Sequence, residues 1–442
     1  MKKLVKWCKG TKAAFIGKYA KQPRYQGGGS SHINSFKVES ALEMVWDREN
    51  ITYADGYDDT EDVIDENMLA EAVKAAKSAE IAVIFAGLPD NFESEGYDRK
   101  HLRMPDCQNR LIEEIAKVQP NVVVVLHNGA PIEMPWIDKV KAVLEVYLGG
   151  QAVGGATADI LYGKTNPSGR LPETFPLRLS DTPCYLYYGG ENDESEYREG
   201  VFTGYRYYTS KDMKTLFPFG HGLSYTSFAY EKLTLAKKEI KESEEICVSV
   251  DITNVGNMTG KEVVQLYVSP RGGKVIRPVR ELRAFDKIEL RPGETKTVNF
   301  RLNSRAFSYW NMAIHDWHVE TGDYEIQIGK NASEIILSET IHVESEKLIP
   351  KEYTLNSTVG DILSDPKGAV IFQKAMGSML SSPEVMQMEE GSDGGGMMNS
   401  EMLSAMLEGM PLRQMMSFIP GVKKEDLMNL VKLLKTEEDN YE

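Results

Sequence analysis

Along the first half of the chain, short, mostly apolar runs alternate with stretches whose apolar residues recur at helical spacing. Lys12–Ile16, Ile81–Ala86, Val122–Leu126 and Ala142–Val146 have the length and β-branched content of buried strands. Met68–Lys77 places Leu69, Ala72, Val73 and Ala76 on one helical face, and Gln108–Val118 and Gln151–Tyr162 follow a similar period. Such βα alternation predicts a mostly parallel sheet with helices on both faces. From about Tyr225 to Glu344 the period changes to two: Ile246–Ile252, Val263–Val268, Thr295–Leu302 and Asp323–Ile328 alternate apolar and polar residues. The turn sequences Asn254-Val255-Gly256-Asn257 and Arg291-Pro292-Gly293-Glu294 separate them, the signature of a β-sandwich. Beyond it, over half of the 20 methionines fall between Met376 and Met428. Gly391–Gly396 reads as a linker, and Met402–Leu407 and Lys424–Leu434 as short helices. The pattern predicts a multidomain chain: an α/β domain over 1–224, an all-β sandwich over 225–345 and a methionine-rich helical tail over 346–442. The tail either packs back on its own protein or offers an adaptable contact surface.

Composition narrows the function classes. The 442-residue chain has a formal net charge of −15, which gives phosphate backbones and anionic membranes no basic field to engage. Neither nucleic acid nor a membrane is expected as partner. Cys8, Cys107, Cys184 and Cys247 lie far apart without a zinc-ligand spacing, so free buried thiols and no metal are expected. Residues 1–10 are basic but lack the apolar core of a signal peptide, and no segment approaches the roughly 18 apolar residues of a membrane span. The sequon Asn331-Ala332-Ser333 then carries no weight, and a cytoplasmic location is the expectation.

Candidate chemistry concentrates after the strand Ile81–Ala86. The loop Gly87-Leu88-Pro89-Asp90-Asn91-Phe92-Glu93-Ser94-Glu95-Gly96-Tyr97-Asp98-Arg99 carries four carboxylates and an arginine. Ligands of open α/β sheets sit where strands end, and crowded carboxylates tune one another toward acid/base work. A solvated acidic loop paired with Arg99 is the other reading of these residues. A second loop, Gln26-Gly27-Gly28-Gly29-Ser30-Ser31, brings backbone close to any ligand there but opens no clear helix, unlike a dinucleotide loop. Gly163-Lys164-Thr165 is not a P-loop, since Ala158 stands at the first glycine position. Neither G-x-S-x-G nor H-E-x-x-H occurs.

The acid loop resembles the acid/base segment of glycoside hydrolase family 3, the β-glucosidases and their relatives. The glutamate immediately before Gly-Tyr-Asp-Arg is the general acid/base in that family, and Glu95 stands there. The resemblance implies that Ser30 contacts substrate, that Glu93, Asp98 and Arg99 support the loop, Asp98 and Arg99 as a charge-assisted pair, and that Glu93 helps raise the Glu95 pKa. It extends to Gly149-Gly150-Gln151 through Gly163, to Asn166-Pro167-Ser168-Gly169-Arg170-Leu171-Pro172-Glu173-Thr174-Phe175-Pro176, to Tyr205-Arg206-Tyr207-Tyr208 and to Phe217–Tyr225. These are read as structural. The sandwich resembles the fibronectin type III-like domain that follows in the family. Together the resemblance covers about residues 10–345. It implies a retaining mechanism on a β-linked glucoside or xyloside without cofactor or metal.

A retaining glycosidase needs a second carboxylate as nucleophile. The family places it on a (β/α)8 barrel, in a Ser-Asp-Trp-like context that has no counterpart here; Asp316-Trp317 belongs to the sandwich pattern. Three readings follow: a split half completed by a separate barrel subunit, a truncated enzyme, or a non-catalytic carbohydrate-binding or assembly module. Loss of the barrel leaves a face uncovered, so the chain by itself is expected to be sticky or a homo-oligomer.

Overall fold

A computed structural model describes residues 10–45, 47–347, 349, 351–380, 408–418 and 422–436. Cys8, the Gly391–Gly396 linker and the Met402–Leu407 helix lie outside them. Strands β1 (Ala13–Ile16), β2 (Ile51–Ala54), β3 (Ile81–Gly87), β4 (Val122–His127) and β5 (Ala142–Glu145) form one sheet in the order β2-β1-β3-β4-β5. Every pairing is parallel, as in Phe15 opposite Val83 and Val83 opposite Val123. Alternation sorts the side chains. Ile16, Ile84 and Val124 face a core shared with helices α2 (Glu66–Ser78) and α3 (Asp106–Val118). Phe15, Val83 and Val125 face the core containing α1 (Ala41–Met44) and the Leu161 end of α4 (Val153–Leu161). Both faces are covered, which is why these strands read as unbroken apolar runs rather than as alternation. Each large side chain so buried contributes roughly 1.5–3 kcal/mol. Asp65 starts α2 by accepting from Asn67 N and Met68 N.

The sandwich has two sheets. One runs β10 (Glu281–Leu290), β9 (Gly260–Arg271), β14 (Gly322–Gly329), β15 (Ile335–Glu344), β7 (Glu239–Lys241); the other runs β11 (Thr295–Leu302), β8 (Ile246–Asn254), β6 (Phe228–Leu235). Val248, Val250, Leu266, Ile326 and Ile341 meet between them with no exposed surface. The two-stranded ribbon of β12 (Tyr309–Asn311) and β13 (Asp316–His318) is separate from both sheets, so Asp316-Trp317 lies on this ribbon and not in the sandwich sheets where its pattern had placed it.

The junction motifs lock the α/β domain to the sandwich. Arg170 Nη2 pairs with Glu262 at 2.7 Å, both side chains nine-tenths buried or more. Asn166 Oδ1 accepts from Ser224 Oγ at 2.9 Å and Tyr225 N at 2.8 Å. Tyr205, at the start of α5 (Tyr205–Ser210), stacks on Phe219 at 4.6 Å, and its hydroxyl accepts from Leu282 N.

The described residues divide into two compact units: one takes the chain up to Tyr309 with His318–Glu346, the other Trp310–Trp317 and the part from Lys347 onward. The second contains helices Val359–Leu363, Pro366–Leu380, Met415–Phe418 and Lys424–Thr436. Its own core includes Tyr353, Ile362, Phe372, Leu412, Leu427 and Leu430.

Candidate active site

The loops leaving the C-terminal ends of β1, β3, β4 and β5 interlock at one edge of the sheet, where open α/β sheets take their ligands. The glycine loop after β1 packs directly on the acid loop after β3. A Cβ at Gly29 would lie 2.5 Å from that of Glu95, and its φ of +85° is one that side chains resist. Glycine at this position is what lets the two loops touch.

Arg24, itself buried, pins the acid loop. Its Nη1 donates to Glu93 Oε2 at 2.6 Å, its Nη2 to the Glu93 carbonyl at 2.7 Å and its Nε to Asp90 Oδ1 at 3.1 Å. Gly129 N, in the turn after β4, donates to the same Glu93 oxygen at 2.7 Å. Arg99 lies 3.9 Å from Glu93 and donates to the Pro131 carbonyl at 2.9 Å, and burial lowers its pKa. Glu93 thus carries two strong hydrogen bonds and two guanidinium neighbours, and is committed to holding the loop.

Glu95, two residues on, is exposed. Its carboxylate accepts from both the backbone N–H and the hydroxyl of Ser30. These two bonds, the hydroxyl first, lower its pKa below the ordinary carboxylate value. The expectation of a raised pKa aided by Glu93 is therefore reversed in this chain: the Glu93 charge is spent on Arg24, and Ser30 stabilises the ionised form of Glu95. The expected Asp98–Arg99 pair is also not formed. Asp98 accepts from Tyr188 Oη at 2.8 Å, while Arg99 turns toward Glu93 and Pro131.

The carboxyls that are pushed up lie deeper. Burial raises Glu145, at the end of β5, to about 8, and raises Glu173 with help from the Glu93 charge. Sequence reading missed Arg24, Gly129, Glu145 and Tyr188 as parts of this site. The available signal was a carboxylate ending the otherwise apolar run Ala142–Val146. Of the thiols, Cys107 is buried, and desolvation lifts it to about 12; Cys184 is half-buried and Cys247 exposed, so the expectation of buried thiols holds for one of the three. Among the described residues no group of three or more His, Cys, Asp or Glu side chains is placed to hold a metal ion.

The family models agree with this layout. Residues 8–225 match the glycosyl hydrolase family 3 C-terminal domain, and residues 262–332 a fibronectin type III-like domain. The chain belongs to glycoside hydrolase family 3. It carries the C-terminal part of that family, and no (β/α)8 barrel is present among the described residues. Thermostable beta-glucosidase B of Acetivibrio thermocellus is 48% identical over 419 residues, which are 94% of this chain and 54% of that protein. The exo-alpha-(1->6)-L-arabinopyranosidase of Bifidobacterium breve is 41% identical over 81% of this chain and 47% of its own length. The crystal structure of the Bifidobacterium adolescentis family 3 beta-glucosidase superposes with a TM-score of 0.78 at 38% identity, over 84% of this chain and 55% of that one. The chain thus spans about half the length of these relatives. No helix among the described residues is long and apolar enough to cross a membrane.

Proposed function

We propose that this family 3 chain supplies the acid/base half of a retaining β-glycosidase site, acting on a β-linked glucoside or xyloside, with Glu95 as general acid/base. The observation that carries this is the contrast between the two glutamates. Glu93 is committed to Arg24 and Gly129, whereas Glu95 is exposed and, among the described residues, held only by Ser30, a polar group that a sugar hydroxyl can replace. In such a reaction a carboxylate nucleophile bonds to the anomeric carbon as the glycosidic bond breaks, and the leaving oxygen takes the Glu95 proton. Glu95 then removes a proton from the water that releases the sugar. The nucleophile comes from a barrel domain, as a separate subunit or as the remainder of a longer chain. Ser30 sits where sugar hydroxyls would arrive. A substrate that takes over the Ser30 hydrogen bonds returns Glu95 toward the ordinary glutamate value, a first step toward the protonated form the reaction needs. Arg24, Glu93 and Arg99 fix the loop, and Tyr188 steadies Asp98. Among the relatives, one is named a beta-glucosidase and another an arabinopyranosidase.

The test is nitrophenol release from an aryl β-glucoside by the chain alone and with a family 3 barrel domain added, in native and Glu95→Gln forms. Turnover only with the barrel, lost in Glu95→Gln, supports the reading; equal turnover by both forms sinks it. The second reading, a carbohydrate-binding or assembly module, is favoured by the Ser30 lock on Glu95. It is the outcome if glucoside binding depends on Ser30 yet no barrel produces turnover.

A further inference from the structure

Behind the acid loop, Arg24 and Arg99 flank Glu93, and the Glu93 charge also acts on Glu145 and Glu173. Neither arginine hydrogen-bonds Glu145. Its Oε1 accepts from Tyr147 N at 2.9 Å and its Oε2 from Asn128 Nδ2 at 3.2 Å. It also lines a cavity of about 530 Å³ beside β5, whose charged and titratable wall includes Asp138, Lys141, Arg170 and His221. Tyr147, with the unusual φ of 50°, is turned so that its N–H meets this carboxyl. Asn128 is wholly buried, and its Nδ2 also donates to the Ala130 carbonyl at 3.0 Å, which closes the turn after β4. That turn presents Gly129 N to Glu93 and the Pro131 carbonyl to Arg99. A continuous path therefore runs from Glu145 through Asn128 and the 128–131 turn to the two side chains that anchor the acid loop.

We infer that Glu145 is a positioning residue for the acid loop: through Asn128 it sets the turn that grips Glu93 and Arg99, and so fixes where Glu95 stands. This rests on the reading of Glu95 as acid/base for its functional meaning, but not for its physical content. The pairing gives it a signature. Arg24 is committed to Glu93 and Asp90, and Arg99 to the Pro131 carbonyl beside Glu93, so neither guanidinium hydrogen-bonds Glu145 and the closed arrangement favours a proton there. Burial acts in the same direction and pushes Glu145 to about 8, with Glu173 and Glu93 adding to it. The other groups facing this pocket are the Tyr147 hydroxyl, raised chiefly by burial, and, across the cavity, Asp138, Lys141, Arg170 and His221, the last lowered to about 4 by burial and hence neutral. An opened loop that admits water returns Glu145 to an ordinary carboxylate value. By linkage, opening then becomes easier as pH rises, by up to tenfold per pH unit between about 5 and 8, and levels off above.

The experiment is amide hydrogen exchange on the full chain, corrected for intrinsic rates, read at Gly129 and across Asp90–Arg99 from pH 5.5 to 9.5. The native chain is expected to lose protection by tenfold or more up to pH 8 and then to plateau. Glu145→Gln, which cannot ionise, is expected to show a flat profile. Asn128→Ala is expected to lower Gly129 protection at least tenfold at every pH. A flat native profile, an unchanged slope in Glu145→Gln, or full Gly129 protection in Asn128→Ala would each overturn the inference. Because exchange is read without substrate, a failure of the Glu95 assignment shows only in the glucoside assay.

Discussion

At the scale of single residues, the site is organised by which carboxylate is given to which partner. Arg24 gives both terminal nitrogens to Glu93 from a side chain that is only 7% exposed. Removing the cation would leave a largely desolvated carboxylate with only Gly129 N and the more distant Arg99, and breaking a buried pair typically costs at most about 3–5 kcal/mol. Arg24→Met is accordingly expected to lower the thermal midpoint by several degrees, whereas removing an exposed pair such as Arg198–Glu196 should leave it nearly unchanged. Ser30 does the opposite service for Glu95, holding it charged. The lowered pKa means that the Ser30 bonds are kept at neutral pH and are lost as pH falls through the native Glu95 value. Ser30→Ala should move the Glu95 carboxyl titration, followed by carbon NMR, up toward the ordinary glutamate value. An unmoved titration would mean that Ser30 does not hold Glu95 in solution.

At the scale of elements, Gly29 shows how backbone freedom becomes site geometry. Any side chain there meets Glu95 and adopts a disfavoured φ, so Gly29→Ala is expected to cost roughly 1–3 kcal/mol and to abolish the Ser30-dependent shift of Glu95. Loss of stability without any change in the Glu95 titration would separate the strain from the contact. This is also where the sequence was most and least informative. Strands β3 and β4, buried on both faces, announced themselves as apolar runs, and β8 and β11 as clean alternation. Strands β2 and β10, each at a sheet edge, did not. Strand β2 is short and half-exposed, and β10 is studded with charge along its exposed face, so neither carries the periodicity of a core strand. The acid and glycine loops could be named from their residues, but not their contacts. Arg24 lies 69 residues before Glu93 in the chain, and only the parallel pairing of β1 with β3 brings their following loops together. The pKa of Glu95 was misjudged for the same reason: sequence distance made Glu93 its neighbour, whereas the fold gave Glu93 to Arg24 and Glu95 to Ser30.

At the scale of the whole molecule, the loops around Glu95 carry apolar side chains that no other described residue covers. Ile33 and Phe36 follow the glycine loop, Tyr97 lies within the acid loop, and Leu186 flanks Tyr188, which is tied to Asp98. Phe36 is fully exposed and Leu186 is 89% exposed. Large apolar groups concentrated on the loops of one site mark a surface that another protein covers, because each costs free energy in water that burial returns. We propose that the barrel is that cover. In its absence the same residues can find each other on a second copy, so sedimentation at micromolar concentration is expected to show self-association that weakens in Phe36→Ser with Leu186→Ser. Adding a family 3 barrel domain should compete with it, converting associated chains to a one-to-one complex as turnover appears. A chain that stays monomeric across that range, with or without the two substitutions, would show that these side chains do not drive association. The barrel would then have to be recruited by the polar groups around Glu95 rather than by the exposed apolar rim.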